Sequence, residues 1–283
     1  VNMNLFLNET NKNLIEIARN HADDYQNASP FPTITFDNFF DPEALNKVLE
    51  EFPDLSGVKE STKFDNSKEI KLAGKGERFF GRETKVFMHF LNSEPFLQFL
   101  QTLTGIKEQL ICDPYFEGGG QHEIKKGGLL KVHADFNKHP KLGLDRRINV
   151  LVYLNKDWKE EYGGHFELWN QDMSMCEKKI LPVFNRMAIF STTDFSYHGH
   201  PDPLNCPEDR SRKSLALYYY SNGRPIHEIN KGLEKHSTLF KERLGNAGDE
   251  MAFNSKVYWA KSFIKDLIPP IVLKAFKTVT NKK

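Results

Sequence analysis

The chain has 283 residues, of which 39% are hydrophobic and 12% aromatic, and this is enough apolar material for one large domain with a substantial core. Its 39 basic and 38 acidic residues give a net charge of +1, so the composition does not favour nucleic acid or an anionic membrane as a partner. Three widely spaced cysteines, Cys112, Cys176 and Cys206, indicate reduced thiols rather than a disulfide framework or a zinc ribbon.

The N-terminal residues VNMNLFLNETNKN show neither the charged start nor the apolar run of a secretory signal. No stretch of the sequence reaches the length of a transmembrane helix. We therefore expect a cytoplasmic protein without a transmembrane segment.

Helical patterns dominate the first third of the chain. Apolar residues at helical spacing predict a helix over 11–24, and Asp41-Pro42 provides an N-cap and a first-position proline for a second helix. A third helix is predicted over about 94–104, between a serine N-cap and a glycine. One strand is expected at 33–36, and the charged segment 53–85, with its weak periodicity, is predicted to be a loop or lid.

From residue 108 to 221 the pattern changes to short strands separated by turn residues. Eight strands are predicted, at 109–113, 121–125, 129–134, 147–154, 164–169, 179–181, 187–191 and 213–221. The number suits a jelly roll, so the predicted fold class is mainly β with flanking helices around a double-stranded β-helix, or cupin-like, core.

We expect a single domain over 1–283, because no Pro-, Gly- or Ser-rich linker divides the chain. Within it, 1–107 is predicted to be mainly helical, 108–221 to be the β-helix core, and 222–283 to be a helical or loop extension. The tail of this extension is amphipathic and basic, with a break at Pro269-Pro270. A helix packed against the barrel is the favoured interpretation, and an interfacial helix on a membrane surface or a partner is the alternative.

The segment LLKVHADFN, residues 129–137, places His133 and Asp135 two residues apart. Alternate residues of a strand project from the same face, so both side chains are expected to point into the barrel. With a second histidine they would form the two-histidine, one-carboxylate triad of non-haem Fe(II) oxygenases. An HxD pair alone is weak evidence, because most such pairs are ordinary hydrogen-bonded strand residues.

The second histidine is sought after the apolar run 187–190, in the sequence DFSYHGHP. His198 follows His133 by 65 residues (198 − 133), which is enough for the intervening strands to return to the same end of a barrel. His200 competes with His198 for this role, although Gly199 predicts a turn between them.

Two of the predicted strands offer polar groups that suit a dicarboxylate. Alternation along RKSLALYYY places Arg212, Ser214 and Tyr218 on one face, and an arginine fork can bind a carboxylate through two parallel hydrogen bonds. In the strand 147–154, Asn149 and Tyr153 share a face that is expected to be the polar interior. A surface arginine and a purely structural tyrosine are the alternatives.

Taken together, HxD, YLNKDW, YGGHFELW, FSYHGH and RKSLALYYYS resemble the prolyl 4-hydroxylase-like branch of the Fe(II)/2-oxoglutarate-dependent oxygenases, over residues 30–221. The resemblance implies a double-stranded β-helix that uses Fe(II), 2-oxoglutarate and O₂, with ascorbate as a supporting reductant. It implies hydroxylation of an aliphatic C–H bond with release of succinate and CO₂, and a prolyl residue of a protein or peptide as one substrate class. The alternatives are a hydroxylase of a small molecule or sugar/lipid-linked metabolite, and a non-catalytic, metal-binding cupin-like module.

The resemblance also implies roles for single residues. His133, Asp135 and His198 match the iron ligands, which are also the catalytic centre. Arg212 and Tyr153 match the residues that bind the distal carboxylate of 2-oxoglutarate, and Asn149 is grouped with them as a cosubstrate contact. The candidates for substrate contact are Arg146, Trp169 and His122.

One position bears on the substrate class, and another bears on the type of reaction. Leu130 stands where many relatives have a tyrosine, three residues before the HxD histidine, and this departure weakens the case for a peptidyl-prolyl substrate. Asp135 is a carboxylate rather than the small residue of related halogenases, so halide ligation is disfavoured.

Overall fold

The structure, a computed structural model, describes residues 3–228 and 235–253. They fall into two compact units, one ending at Lys241 and the other beginning at Glu242. The first unit contains the whole sheet, and the second contains one helix. The amphipathic tail predicted after residue 254 lies outside the described residues. No helix in the described ranges has the length and apolar character that crossing a bilayer requires.

The described residues form five α-helices: α1 (Leu14–Gln26), α2 (Pro42–Glu50), α3 (Arg82–Leu91), α4 (Glu94–Thr104) and α5 (Ala247–Phe253). The three helices predicted in the first third of the chain correspond to α1, α2 and α4. The side chain of Asp41 caps α2 by accepting a hydrogen bond from the amide of Ala44 at 2.8 Å. Helix α4 ends at Gly105, which has a left-handed conformation with φ of +69°.

Within residues 3–228 and 235–253, the sheet is antiparallel throughout and has thirteen strands. They are β1 (Thr33–Asp37), β2 (Thr62–Asp65), β3 (Glu69–Gly74), β4 (Ile111–Cys112), β5 (Gly120–Lys125), β6 (Leu129–Ala134), β7 (Asp145–Tyr153), β8 (Phe166–Trp169), β9 (Cys176–Ile180), β10 (Arg186–Ser191), β11 (Tyr197–His200), β12 (Ser211–Ser221) and β13 (Leu239–Phe240). The main path runs β1-β10-β7-β12-β5-β3-β6-β11-β8-β9, so strands distant in sequence become neighbours. This is the predicted mainly-β, jelly-roll architecture with flanking helices.

The prediction that 53–85 is a loop or lid is wrong for much of the segment. It contains the hairpin β2–β3, and β3 pairs with both β5 and β6 in the middle of the sheet. Helix α3 begins at Arg82, within the same segment. Three strands, β1 to β3, therefore enter the sheet from the mainly helical first third of the chain.

A large apolar core joins the helices to one face of the sheet. It combines phenylalanines of the N-terminal part, among them Phe40, Phe87 and Phe99, with Val150 and Leu217 from β7 and β12. Phe40 and Phe87 pack edge to face with ring centroids 4.9 Å apart. Burial of each such side chain contributes roughly 1.5–3 kcal/mol, so this packing holds the sheet curved around its other, polar face.

Candidate active site

The antiparallel register of β6 and β11 places His133 directly opposite His198. Asp135 follows the end of β6, and its Oδ1 lies 3.5 Å from Nε2 of His133 while its Oδ2 lies 3.4 Å from Nε2 of His198. One ligand atom from each of the three side chains lies within 4.8 Å of the others, and all three residues are buried. The structure therefore brings together the three predicted metal ligands.

Both imidazoles are held in the orientation that a metal ligand needs. Nδ1 of His133 lies 2.9 Å from the carbonyl of Lys131, and Nδ1 of His198 lies 2.8 Å from the carbonyl of Ser196. A carbonyl can only accept, so Nδ1 carries the proton in each ring and Nε2 keeps its lone pair. Burial, and next the neighbouring His198, lower the pKa of His133, which keeps that ring neutral.

The carboxylate of Asp135 is positioned by two side chains of β7. Its Oδ2 accepts hydrogen bonds from Nη2 of Arg146 at 3.0 Å and from Nδ2 of Asn149 at 2.7 Å. Burial acts to raise the pKa of Asp135, but Arg146 and the two histidines outweigh it and hold the pKa well below its usual range. Asp135 is therefore ionised, with Oδ1 turned to His133.

Gly199 separates His198 from His200, and the turn predicted there is wrong. Residues Tyr197–His200 form strand β11, whose register against β6 shifts between the two histidines. A Cβ at position 199 would lie 2.7 Å from the carbonyl oxygen of Leu130. The glycine is needed because the two backbones approach closely here, and this approach brings His198 to His133.

The two residues predicted to bind the distal carboxylate, Arg212 and Tyr153, lie side by side. Arg212 is 4% exposed, and it lies beside Tyr153 because β12 and β7 pair Ser214 with Tyr153. Its Nε donates to the carbonyl of Gly164 at 2.8 Å, and its Nη2 lies 3.5 Å from the Tyr153 hydroxyl. Gly164 has φ of +72°, and a Cβ there would lie 3.0 Å from Cδ of Arg212, so the glycine makes room for the arginine. Arg212 lines an interior cavity of about 80 Å³ together with the three predicted metal ligands.

Four further polar residues line this cavity without having been predicted as cosubstrate or substrate contacts, namely His200, Lys71, Ser214 and Tyr218. His200 is buried, and neither of its ring nitrogens has a hydrogen-bond partner among the residues that the structure describes. Burial holds its pKa well below the usual range, so the ring is neutral. The two-residue spacing of His198 and His200 in HGH was the sequence signal that His200 could also face the cavity. Lys71 gave no such signal, because it lies in the segment predicted to be a loop.

Of the other predicted site residues, Asn149 and His122 line the cavity and Trp169 does not. Asn149 lines the cavity, but its amide is used by Asp135. His122 lines the cavity next to Lys71, and burial, followed by the charge of Lys71, lowers its pKa to about 3. Trp169 does not reach either cavity that contains the metal cluster, because its Nε1 donates to Glu167 and its ring packs on the far side of β6.

The ligand atoms of His133, Asp135 and His198 suit Fe(II), and the donors beside them suit a dicarboxylate cosubstrate. Two imidazole nitrogens and one carboxylate oxygen on one face leave further coordination positions open, which is the ligand set of non-haem Fe(II) oxygenases. Arg212 and the single N–H of the neutral, unpartnered His200 ring, in the same cavity, are donors that suit the distal carboxylate of a dicarboxylate.

Comparisons with known proteins agree with this geometry. The sequence profile of the 2OG-Fe(II) oxygenase superfamily matches residues 120–220, which contain all three predicted metal ligands, Tyr153 and Arg212. A curated relative, the prolyl 3,4-dihydroxylase OGFOD1 of Ostreococcus tauri, is 24% identical over 243 residues. The match covers 79% of this chain but only 44% of that relative, so the chain spans less than half of its length.

Two solved structures share the fold. A prolyl-4-hydroxylase of Pseudomonas putida superposes with a TM-score of 0.54 at 15% identity, over 73% of this chain and 100% of that one. A prolyl hydroxylase of Trichoplax adhaerens, solved with a peptide fragment of the hypoxia inducible factor oxygen degradation domain, also gives 0.54, at 17% identity over 74% and 90% of the two chains. The profile match over 120–220 and the similarity to the curated relative agree with the residues found at the centre of the sheet, so this part of the chain resembles the 2OG-Fe(II) oxygenase superfamily.

Proposed function

We propose that the protein is an Fe(II)- and 2-oxoglutarate-dependent dioxygenase that hydroxylates an aliphatic C–H bond. The observation that carries this proposal is the presence of His133, Asp135 and His198 in one cavity with Arg212. A site that held a metal only for structure would have no use for a buried guanidinium beside it. When bound, Fe(II) and 2-oxoglutarate supply the O₂-dependent oxidation that hydroxylates the substrate and leaves succinate and CO₂.

In this scheme, one set of side chains holds the metal and a second set holds the cosubstrate. His133 and His198 present Nε2, and Asp135 presents Oδ1, because their other polar atoms are already hydrogen-bonded. Arg212 binds the distal carboxylate of 2-oxoglutarate, with Tyr153 beside it, and the unpartnered ring of His200 adds a further hydrogen bond.

Apolar side chains keep water away from the reacting centre. The cavity wall includes Leu130, Leu151, Phe166 and Phe190. The ring of Phe190 lies edge to face against His198, with centroids 4.7 Å apart. A site closed in this way strengthens the electrostatic contacts inside it and protects a reactive oxidant from water.

The substrate is either a peptidyl proline or a small molecule. The prolyl hydroxylases among the relatives favour the first, and Arg146 and His122 line the cavity where such a substrate would lie. Leu130 favours the second, because an apolar side chain lines the cavity where a tyrosine would offer a hydroxyl. The non-catalytic module is the least supported alternative, because it gives no reason for the buried Arg212 to lie beside Tyr153 in the cavity of the metal ligands.

The test uses protein purified without oxygen. Addition of Fe(II) and 2-oxoglutarate is expected to give the weak visible charge-transfer band of the chelate, and Asp135→Ala is expected to abolish it. Asp172→Ala, in an exposed turn, is the matched control and is expected to keep the band. Admission of O₂, with and without ascorbate, is then expected to yield succinate; a band that survives Asp135→Ala, or no succinate at all, would contradict the proposal.

A further inference from the structure

A second cavity, of about 170 Å³, adjoins the one that contains Arg212 and shares His133 and Asp135 with it. One wall is the inner face of β3 and the residue after it, where Glu69, Lys71, Ala73 and Lys75 follow one another at intervals of two. Alternate residues of a strand share a face, so these charged side chains all face the cavity. We call this space the outer cavity.

The carboxylates of the outer cavity already have cationic partners. Glu69 lies 3.3 Å from Nζ of Lys71, and Asp135 accepts from Arg146 at 3.0 Å. Lys75, by contrast, has no ion pair within the described part of the chain. The wall therefore keeps a positive charge that no carboxylate of its own offsets.

Arg146 supplies an independent observation. Its side chain is 1% exposed, and its guanidinium lies between the rings of Tyr218, with Cζ 3.4 Å from the centroid, and Phe136, at 4.3 Å. Nε and Nη2 are bound to Asn149 and Asp135, whereas Nη1 is buried and has no partner in residues 3–228 and 235–253. A buried cationic donor without an acceptor is unfavourable, and an anionic oxygen from a ligand would correct it.

The outer cavity continues into a wider space of about 550 Å³ that shares Lys75 and Phe136 with it. Lys138 is paired with Asp145 at 2.8 Å, but Lys235 adds further positive charge there. Among the described residues that line this space, the one carboxylate, Glu117, lies 3.3 Å from Lys141. An anionic molecule would therefore meet a surplus of cations along the whole approach to the metal ligands.

We propose that the substrate carries an anionic group, a phosphate or a carboxylate, which Lys75 and Nη1 of Arg146 bind in the outer cavity. This inference rests on the proposed function, because it names the substrate class of the same site. It favours the small-molecule alternative over an uncharged prolyl peptide, since the binding energy comes from charge and not from a peptide backbone.

The test measures anion binding directly and needs no turnover. The protein is loaded with redox-inert Zn(II) and with 2-oxoglutarate, and glycerol 3-phosphate and propionate are titrated in by saturation-transfer NMR at low salt. Glycerol and propionamide are the neutral matches. The anions are expected to bind and the neutral compounds not to bind, with an affinity that falls as salt is added.

The variants assign the binding to this cavity. Lys75→Met is expected to raise the Kd of the anions about tenfold, which is the loss of one charge-assisted hydrogen bond, and Lys75→Arg is expected to restore it. Lys47→Met, on the exposed face of α2, is the matched control and is expected to change the Kd less than about twofold.

Two results would overturn the inference: equal binding of the neutral compounds, or an unchanged anion Kd in Lys75→Met. The same preparation, given Fe(II) instead of Zn(II), reports on the proposed function through the charge-transfer band. If the band forms but anions do not bind, only the substrate class is wrong. If the band does not form, the oxygenase proposal itself fails.

Discussion

Replacement of Asn149 by leucine tests how the metal site is held together. The side chain makes three hydrogen bonds: Nδ2 donates to Asp135 at 2.7 Å, and Oδ1 accepts from Nε of Arg146 at 2.9 Å and from the hydroxyl of Thr192 at 3.3 Å. Leucine has a similar volume and none of these groups. The variant therefore removes the support of Asp135 without opening a cavity.

Asn149→Leu is expected to lower both the affinity for Fe(II) and the free energy of unfolding. Outer partners of metal ligands contribute about 10–100-fold in metal affinity, or about 1.4–2.8 kcal/mol, so Asn149→Leu is expected to weaken Fe(II) binding by that factor. Two of the lost hydrogen bonds involve charged partners at about 1.5–3 kcal/mol each, so the free energy of unfolding is expected to fall by about 3 kcal/mol or more. If Asn149 instead contacted only the cosubstrate, the 2-oxoglutarate requirement would rise while metal affinity stayed constant.

A matched control separates metal positioning from general destabilisation. Asn155 is also buried and also makes three hydrogen bonds, to the carbonyls of Pro182 and Lys213 and from the amide of Lys213, but none to a metal ligand. Asn155→Leu is expected to lower the free energy of unfolding and to leave metal affinity intact. Metal affinity is measured anaerobically against a chromophoric chelator, and stability by urea unfolding of the metal-free protein. Equal metal affinities in the two variants would refute the role given to Asn149.

Three further predictions concern the cosubstrate clamp and the dependence of stability on pH. Arg212→Met is expected to raise the 2-oxoglutarate concentration at half-saturation about 100-fold in an anaerobic titration and to leave metal affinity within about twofold; an unchanged requirement would remove Arg212 from the clamp. His200→Leu is expected to raise the free energy of unfolding of the metal-free protein by about 1–2 kcal/mol, because it removes a buried polar group without a partner, and to weaken 2-oxoglutarate binding about tenfold. Burial acts to lower the pKa of His236, but its 2.8 Å contact with Asp194 raises the pKa above the usual value. The contribution of His236 to stability is therefore complete below about pH 6.5 and is lost as pH rises through the folded-state pKa, so an NMR titration that gave a pKa at or below 6.5 would contradict the pairing.

The core of the active site was accessible from sequence because it depends on the two-residue period of strands. His133 and Asp135, Asn149 and Tyr153, and Arg212 and Ser214 each form an alternating pair, and each pair faces the interior as predicted. The pairing of β6 with β11 depends on a crossover between distant strands. Local sequence did not reveal that register, so the choice between His198 and His200 stayed open until the resemblance was considered.

Two failures have identifiable causes in long-range structure. Helix α3 has no side-chain cap of its own, and the carboxylate of Glu51, from the end of α2, accepts hydrogen bonds from the amides of Glu83 and Thr84 at 3.1 and 2.9 Å. A cap from a distant residue leaves no signal at the start of the helix. Gly199 has the sequence signature of a turn, but its function is to let two strands approach closely. Only the neighbouring strand distinguishes the two cases.

The third failure, at β3, carries information about function. A half-buried strand normally has apolar residues inside and polar residues outside, whereas β3 places Glu69 and Lys71 toward the cavity and leaves Ile70 37% exposed on the other face. The polar–apolar alternation over 69–72 is itself a strand signal, but it lies within a segment so rich in charged residues that a loop was favoured. A lysine in a cavity wall does not stabilise the fold as an apolar residue would, so its presence needs another explanation. Lys71 is paired with Glu69, whereas Lys75, which follows β3 on the same face, has no ion pair within the described residues. Binding of an anionic ligand gives Lys75 its partner, so the charged face that obscured the strand also indicates the substrate class.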